Sequence, residues 1–494
     1  MRNDHFDVLI VGAGISGIGA AYHIQHRCPD KTYAILEGRE RIGGTWDLFK
    51  YPGIRSDSDM HTMGFSFKPW RSNKSIADGS SILQYVNETA EENGLLKHTK
   101  LNHQATHANW SSEDAAWSVR VSVDGQTRGY TCNFLFTCSG YYNYRKGYEP
   151  DFPGRADFGG TVMHPQFWDE SYDYAGQNVV VIGSGATAVT LVPEIAKTAH
   201  QVTMLQRSPT YMVSAPDEDR ISNKLKSLFA PKLAYALTRW KNILLGIAFY
   251  RFCQSFPQKA AAVILKGVRA AMGPDYDVAT HFTPRYKPWD QRMCLVPNSD
   301  FFEAVKNRRA AIVADEIDAF TSHGIQLRSG QHIEADLIVT ATGLDLSILS
   351  DIQFSVDGAL VKPGECTAYK SMMLAGVPNL AFSMGYTNAS WTLKCDLTCG
   401  YVVRLLNHMR RHGYSQVTPR MRDQSVQKEP MLNLTSGYVM RSAYKLPKQG
   451  HKAPWKLNQN YLLDILNLRL RSLEDDSLEF IRAPKVAKVS QAVV

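Results

Sequence analysis

The chain has 494 residues, 44% of them hydrophobic and 21% charged, with a net charge of +8; this length predicts two or three domains, and the composition excludes a low-complexity chain. No run approaches the roughly eighteen apolar residues of a membrane-spanning helix. The N-terminal MRNDHFDVLIVGAG lacks an apolar signal core and a cleavage site, so the chain reads as cytoplasmic.

Phe6 to Val11 predicts a short apolar strand. Gly12, Gly14 and Gly17 follow as G-x-G-x-x-G, Ser16 among them, and helical apolar spacing continues from Ile18 to Gln25. Gly12 permits the tight turn, Gly14 lets the backbone approach a pyrophosphate, and Gly17 lets helix and strand pack closely. The helix N-terminus offers free N–H groups and a positive dipole end to phosphates. A second strand, Tyr33 to Leu36, ends in Glu37, where an acid accepts ribose hydroxyls. Next comes RERIGGTWDLFKYPGIRSDSD, then β-like stretches at Ala116 to Val123 and Phe134 to Thr137, the latter running into Cys138, Ser139 and Gly140. Residues 141–157, rich in Tyr, Pro and Gly, read as a loop.

Residues 158–169 read FGGTVMHPQFWD. A second glycine-rich unit follows: a strand at Asn178 to Ile182, the turn Gly183, Ser184, Gly185, Ala186, Thr187, Ala188, a helix, and a strand at Gln201 to Leu205. At the place of Glu37 this unit carries Gln206, Arg207 and Ser208; a basic residue there accommodates a 2′-phosphate. The pair of units therefore points to FAD in the first and NADPH in the second. Residues 216–288 break the alternation and read as helical. From Ile221 to Met272 there are nine Lys or Arg and no Asp or Glu. That run reads as a solvated basic face, with an anionic membrane surface or an acidic partner as alternatives; nucleic acid is disfavoured because no recognition motif accompanies it. KPWDQRMCLVP spans Lys287 to Pro297. Strands at Ala311 to Ala314 and Asp336 to Val339 lead to Ala341, Thr342 and Gly343. The last dozen residues, APKVAKVSQAVV, read as a loose tail. Eight Cys are scattered without a CxxC, and the His residues read as lacking a pair at zinc spacing, so no metal site is expected. Cys395 and Cys399, one turn apart, read as buried free thiols rather than a disulfide or metal pair.

Residues 158–169 fit F-x-G-x-x-x-H-x-x-x-W-[P/D] at Phe158, Gly160, His164, Trp168 and Asp169. On this fingerprint between two dinucleotide turns, the chain resembles the Baeyer–Villiger monooxygenases. TWDLFKYPGIRSDSDM, SGYYNY, QRSPTY, PWDQR, CLVPN, GYTNASWTLK, LPKQG and PWKLNQNY place it near the mycobacterial subgroup that activates thioamide prodrugs. The resemblance implies an α/β chain with an FAD domain and an NADP domain, the latter carrying a helical insertion. Its boundaries would be 1–145 and 345–494 for FAD, 146–215 and 289–344 for NADP, and 216–288 for the insertion. It implies FAD contacts from Gly44, Thr45, Trp46, Asp57 and Ala105, and NADP contacts from Arg55 and Ser56. Arg292 matches the catalytic arginine and Asp57 the active-site acid, while Gln291 stands where most members carry Lys. His164 is expected to couple the domains rather than to act as a base. The implied activity is NADPH- and O2-dependent oxidation of ketones to esters or lactones, with S-oxidation of sulfur substrates. Three competing readings are a sulfur- or nitrogen-oxidising flavin monooxygenase without ketone activity, a pyridine-nucleotide–disulfide reductase and a non-catalytic flavin-binding sensor. Trp168, the missing CxxC, and retention of Arg292 and Asp57 argue against them in turn.

Overall fold

A computed structural model of the protein describes residues 4–482; the tail expected at 483–494 lies outside them. Strand β1 (Asp4–Val11) runs into helix α1 (Ile15–Arg27) and returns as β2 (Tyr33–Leu36), parallel to β1. The long strand β3 (Gln126–Thr137) lies on the other side of β1, also parallel. These form the centre of a nine-stranded mixed sheet, whose far side is antiparallel through Ala116–Val123 and Gln104–Ser111. Val8 and Ile10 point into one apolar core with α1, whereas Leu9 and Val11 point into a second core on the other face. Burial on both faces explains why β1 is apolar without alternation.

The second unit repeats the device. Strand β4 (Asn178–Ile182), helix α2 (Ala186–Ile195) and strand β5 (Gln201–Gln206) belong to a five-stranded, all-parallel sheet. Val179 and Val181 face one core, and Val180 and Ile182 the other. The segment expected to be helical forms α3 (Arg220–Leu228), α4 (Pro231–Ser255) and α5 (Pro257–Met272), with a short helix at Val278–Phe282. The chain then returns to the first sheet and ends in the long buried helix α6 (Trp391–His412) and the segments packed around it.

Three expectations are corrected here. Residues 141–157 are not all loop: Tyr142–Gly147 is a strand, paired antiparallel with Leu344–Leu346. These are the outgoing and returning connections between the two sheets, and each has a strand partner only because the other is there. The stretch expected at Phe134 to Thr137 is the end of β3, whose polar first half is held by its hairpin partner. A His pair at metal spacing does exist: His408 and His412, one turn apart on α6, bring ligand atoms within 4.8 Å of one another and of Glu474 at the surface. Cys395 and Cys399 are buried and free, as expected.

Candidate active site

Both glycine-rich turns open into one cavity of about 610 Å³. The two turns are closed from behind in the same way. Gly12 has φ +101°, and a Cβ there would meet the Cys138 carbonyl oxygen at 2.8 Å. Gly183 has φ +132°, and its Cβ would meet the Ala341 carbonyl oxygen at 2.4 Å. The strand endings Cys138–Ser139 and Ala341–Thr342 therefore lie against the first glycine of each unit, where only glycine leaves room. Gly14 approaches Gly44 so closely that a Cβ on Gly44 would stand 2.8 Å from the Gly14 Cα. Gly17 and Ala188 do not line the cavity; they lie beneath it, at the contact of helix and strand.

Gly12, Gly14, Ser16, Glu37, Gly44, Thr45, Trp46 and Ala105 line the side of the first unit. The buried Glu37 carboxylate accepts the N–H groups of Ala13 at 2.7 Å and Arg39 at 3.0 Å. Burial pushes its carboxyl above the ordinary range, opposed by those two donors. The Ser16 hydroxyl is already engaged, accepting the Trp391 indole N–H at 2.8 Å and lying 3.3 Å from the Cys395 sulfur.

Gly183, Ser184, Gly185, Ala186, Thr187, Arg207 and Ser208 line the side of the second unit. The Ser184 hydroxyl donates to the Ser208 carbonyl at 2.8 Å, tying the turn to the end of β5. Arg207 is exposed to the cavity and makes no ion pair with the described residues. Arg441, which the sequence reading missed, lines the cavity beside it and lies over the Tyr148 ring at 3.3 Å. Burial, and then the neighbouring Arg207 charge, lower the proton affinity of Arg441, while Tyr148 opposes them. Two guanidinium groups converge here with no ion-pair partner among the described residues, and the Asp345 carboxylate that acts on Arg441 is held by Lys445 at 2.7 Å, an arrangement that an anion would complete. No sequence signal ties Arg441 to Arg207, which lies more than two hundred residues earlier.

Between the two sides stand Asp57 and Arg292. Arg292 Nη2 lies 3.2 Å from Asp57 Oδ2, and Nη1 lies 3.5 Å from the Tyr141 hydroxyl. The Asp57 carboxylate is the main cause of the raised proton affinity of Arg292, so this guanidinium is permanently charged. Tyr141 is fixed in turn: its hydroxyl lies 2.7 Å from that of Tyr142, and its ring stacks on Trp391 at 5.0 Å. Tyr141 and Trp391 are further residues that the sequence did not single out, although Trp391 lies in the stretch GYTNASWTLKCDL expected to complete the substrate wall. Arg55 also lines the cavity, but its fork is held by Asp300. The Ser56 hydroxyl is buried without a partner among the described residues. Gln291 lines the cavity next to Arg292.

None of the five fingerprint residues lines the cavity. Phe158 and Trp168 are buried in the two cores flanking the second sheet. Gly160 leaves room for the Asp336 carbonyl oxygen, which a Cβ would meet at 2.3 Å. Asp169 accepts the Ser171 N–H at 2.9 Å. His164 Nδ1 accepts the Gln166 N–H at 3.1 Å, which leaves Nε2–H to donate to the Gly343 carbonyl at 3.2 Å. Burial lowers its proton affinity, consistent with a neutral ring. Its ring also fills the space above Gly147, where a Cβ would come within 2.1 Å. His164 thus touches both connections between the sheets.

The flavin-binding monooxygenase-like family model matches residues 6–240. FAD-containing monooxygenase EthA of Mycobacterium tuberculosis is 50% identical over 482 residues, covering 97% of this chain and 99% of that protein. The probable FAD-binding monooxygenase AlmA of an Acinetobacter species is 44% identical over 477 residues, covering 96% of each. Among solved structures, an oxidised steroid monooxygenase bound to NADP aligns with a TM-score of 0.77 at 21% identity, covering 97% of this chain and 100% of that one. OTEMO in complex with FAD and NADP aligns at 0.70 and 22%, covering 85% and 88%. The last two likenesses show the fold: an α/β chain with paired dinucleotide-binding units. With half its residues identical to a full-length relative, the chain belongs to the family of FAD-containing, flavin-binding monooxygenases.

Proposed function

We propose that the protein is an NADPH- and O2-dependent flavin monooxygenase that inserts oxygen into ketones, giving esters or lactones, and also oxidises sulfur in sulfides and thioamides. The single observation that carries this reading is the Arg292–Asp57 ion pair inside a cavity shared by both glycine-rich turns.

The residues present fit both cofactors. Gly12 lets the turn lie against Cys138, Gly14 and Gly44 let the two loops close on each other beside the cavity, and the N-terminus of α1 offers its free N–H groups there. These residues, with Glu37, Thr45, Trp46 and Ala105, would hold FAD. Arg207 and Arg441, without an ion pair among the described residues, suit the 2′-phosphate of NADPH, with Ser184 to Thr187 along the pyrophosphate. The chemistry that bound FAD supplies there is acceptance of hydride from the nicotinamide and activation of O2.

The chain's own groups account for the rest. Arg292 holds a fixed positive charge where negative charge develops on oxygen during insertion, and preorganised charge of this kind is a large catalytic contribution. Asp57 and Tyr141 aim it. Tyr141, Trp391 and Tyr438 wall the cavity and limit water around the reacting atoms. His164, bridging the two connections between the sheets, couples nicotinamide binding on one side to chemistry on the other.

The test is a panel of cyclic, linear and aryl ketones, sulfides and thioamides, offered to the FAD-loaded enzyme with NADPH and air. Products are identified by mass analysis. Esters or lactones one oxygen heavier than the ketone support the reading. Sulfur products without any ester would restrict the enzyme to sulfur oxidation, and failure to consume NADPH with O2 would overturn it.

A further inference from the structure

Helix α4 is apolar on its exposed side as well as on its buried one. Its buried face carries Ala234, Tyr235, Ile243 and Cys253 together with Thr238 and Arg239, whose guanidinium donates to the carbonyl oxygens of His61, Thr62 and Gly64 and lies 3.4 Å from an Asp396 oxygen. Its opposite face carries Leu233, Leu237, Trp240 and Leu244, each between 41% and 50% exposed. The spacing of three or four residues places these four on one side of the helix, and the same row ends at Arg251. The outer side of a water-facing surface helix carries charged and polar residues instead. The apolar stripe does not stop with α4. The Trp240 ring lies 6.0 Å from that of Tyr461, and the segment beyond Tyr461 exposes Leu466 at 50% and Leu470 at 70%. Single exposed leucines are ordinary; a row of four apolar side chains on one helix face, with further exposed leucines beyond its neighbour Tyr461, is not.

The charge on α4 and on the two helices packed against it, α3 and α5, points to the occupant. Lys224, Lys232, Arg251, Lys259, Lys266 and Arg269 are exposed and make no ion pair with the described residues. No acid occurs from Ile221 to Met272. A second copy meeting this face across a two-fold axis would bring those cations against each other. An anionic lipid surface answers both features, since it takes up apolar side chains and attracts Lys and Arg. No helix among the described residues is long and apolar enough to cross a membrane, so contact would be made from the side. We propose that α4, with the 461–470 segment beside it, is a docking surface for an anionic lipid bilayer.

The experiment is sedimentation of the FAD-loaded full chain with vesicles of phosphatidylcholine alone or mixed with phosphatidylglycerol. Binding is expected to the mixed vesicles only, and to fall as salt rises. Leu237→Gln with Leu244→Gln lowers that binding about tenfold. Lys232→Gln with Arg251→Gln lowers it roughly tenfold or more. Turnover of a water-soluble substrate stays unchanged in both variants, because none of these residues lines the cavity. Absence of binding at low salt, equal binding to neutral vesicles, or undiminished binding by the leucine variant would overturn the proposal. So would light scattering that shows a dimer which the leucine variant makes monomeric, since a second copy would then cover the face. Sedimentation requires no turnover, so its failure is separate from any failure of the monooxygenase reading.

Discussion

Replacing Arg292 with Ala separates catalysis from folding. The guanidinium pairs with Asp57 at 3.2 Å, and the two side chains are 33% and 42% exposed. A pair this open to solvent is worth about 1 kcal/mol or less to stability. The FAD-side lining from Gly12 to Trp46 comes from other parts of the chain, so folding and FAD content should persist. The cost falls on the reaction. Loss of one preorganised charge beside developing negative charge lowers a rate about 10²- to 10³-fold, or roughly 3–4 kcal/mol of barrier. Arg292→Ala is therefore expected to bind FAD, oxidise NADPH at a slowed rate, and release the consumed oxygen as hydrogen peroxide with little ester. Asp57→Asn keeps the cation and loses its orienting partner, so its ester yield should fall between wild type and Arg292→Ala. The assay quantifies ester, hydrogen peroxide and NADPH per turnover, with FAD content and the unfolding midpoint measured on the same preparations. Ester formation by Arg292→Ala near the wild-type rate would refute the assignment of this arginine. A variant without FAD would refute the separation of the two roles.

Arg207→Ala should raise the KM for NADPH about ten- to 150-fold, through loss of a charge-assisted pair, and leave that for NADH nearly unchanged. Arg441→Ala should shift it in the same direction by a smaller factor, and equal losses for both cofactors would reject the site. Gly17→Ala sets a Cβ 1.8 Å from the Gly12 carbonyl oxygen, so the chain should lose about 3 kcal/mol or more and its FAD, measured by denaturant midpoint and flavin absorbance. Burial holds His61 at a pKa of about 4, below its usual value. Its contribution to stability is therefore full above pH 6.5 and declines as pH falls toward 4, by up to about 3 kcal/mol. The urea midpoint should drop from pH 7 to pH 5, and His61→Gln should flatten that drop; an equal drop in both proteins would exclude His61 as its source.

Each glycine-rich turn was legible in the sequence because its information is local. Gly12 and Gly183 adopt φ values that only glycine takes readily, and β1 and β4 are apolar throughout because both faces are covered. The opposed choices of Glu37 and Arg207 at matching places were likewise readable residue by residue. Asp57 and Arg292 were identified by resemblance, and the structure brings them together although 235 positions separate them. The five fingerprint residues were visible as a pattern, but their place outside the cavity was not.

What the sequence alone determined is therefore whatever depends on neighbours along the chain: the two βαβ units, the helical segment with its acid-free run, and the family. The tertiary structure decided what depends on distant segments meeting. Tyr142–Gly147 becomes a strand only when Leu344–Leu346 returns beside it. Arg441 joins Arg207, and Trp391 fixes both Tyr141 and Ser16, through contacts that no local spacing encodes. On α4, Arg239 is buried and Trp240 exposed because the partners that satisfy a guanidinium, three backbone carbonyls and Asp396, lie on elements far away in sequence. A buried charge is retained where such partners assemble, and only the assembled fold supplies them.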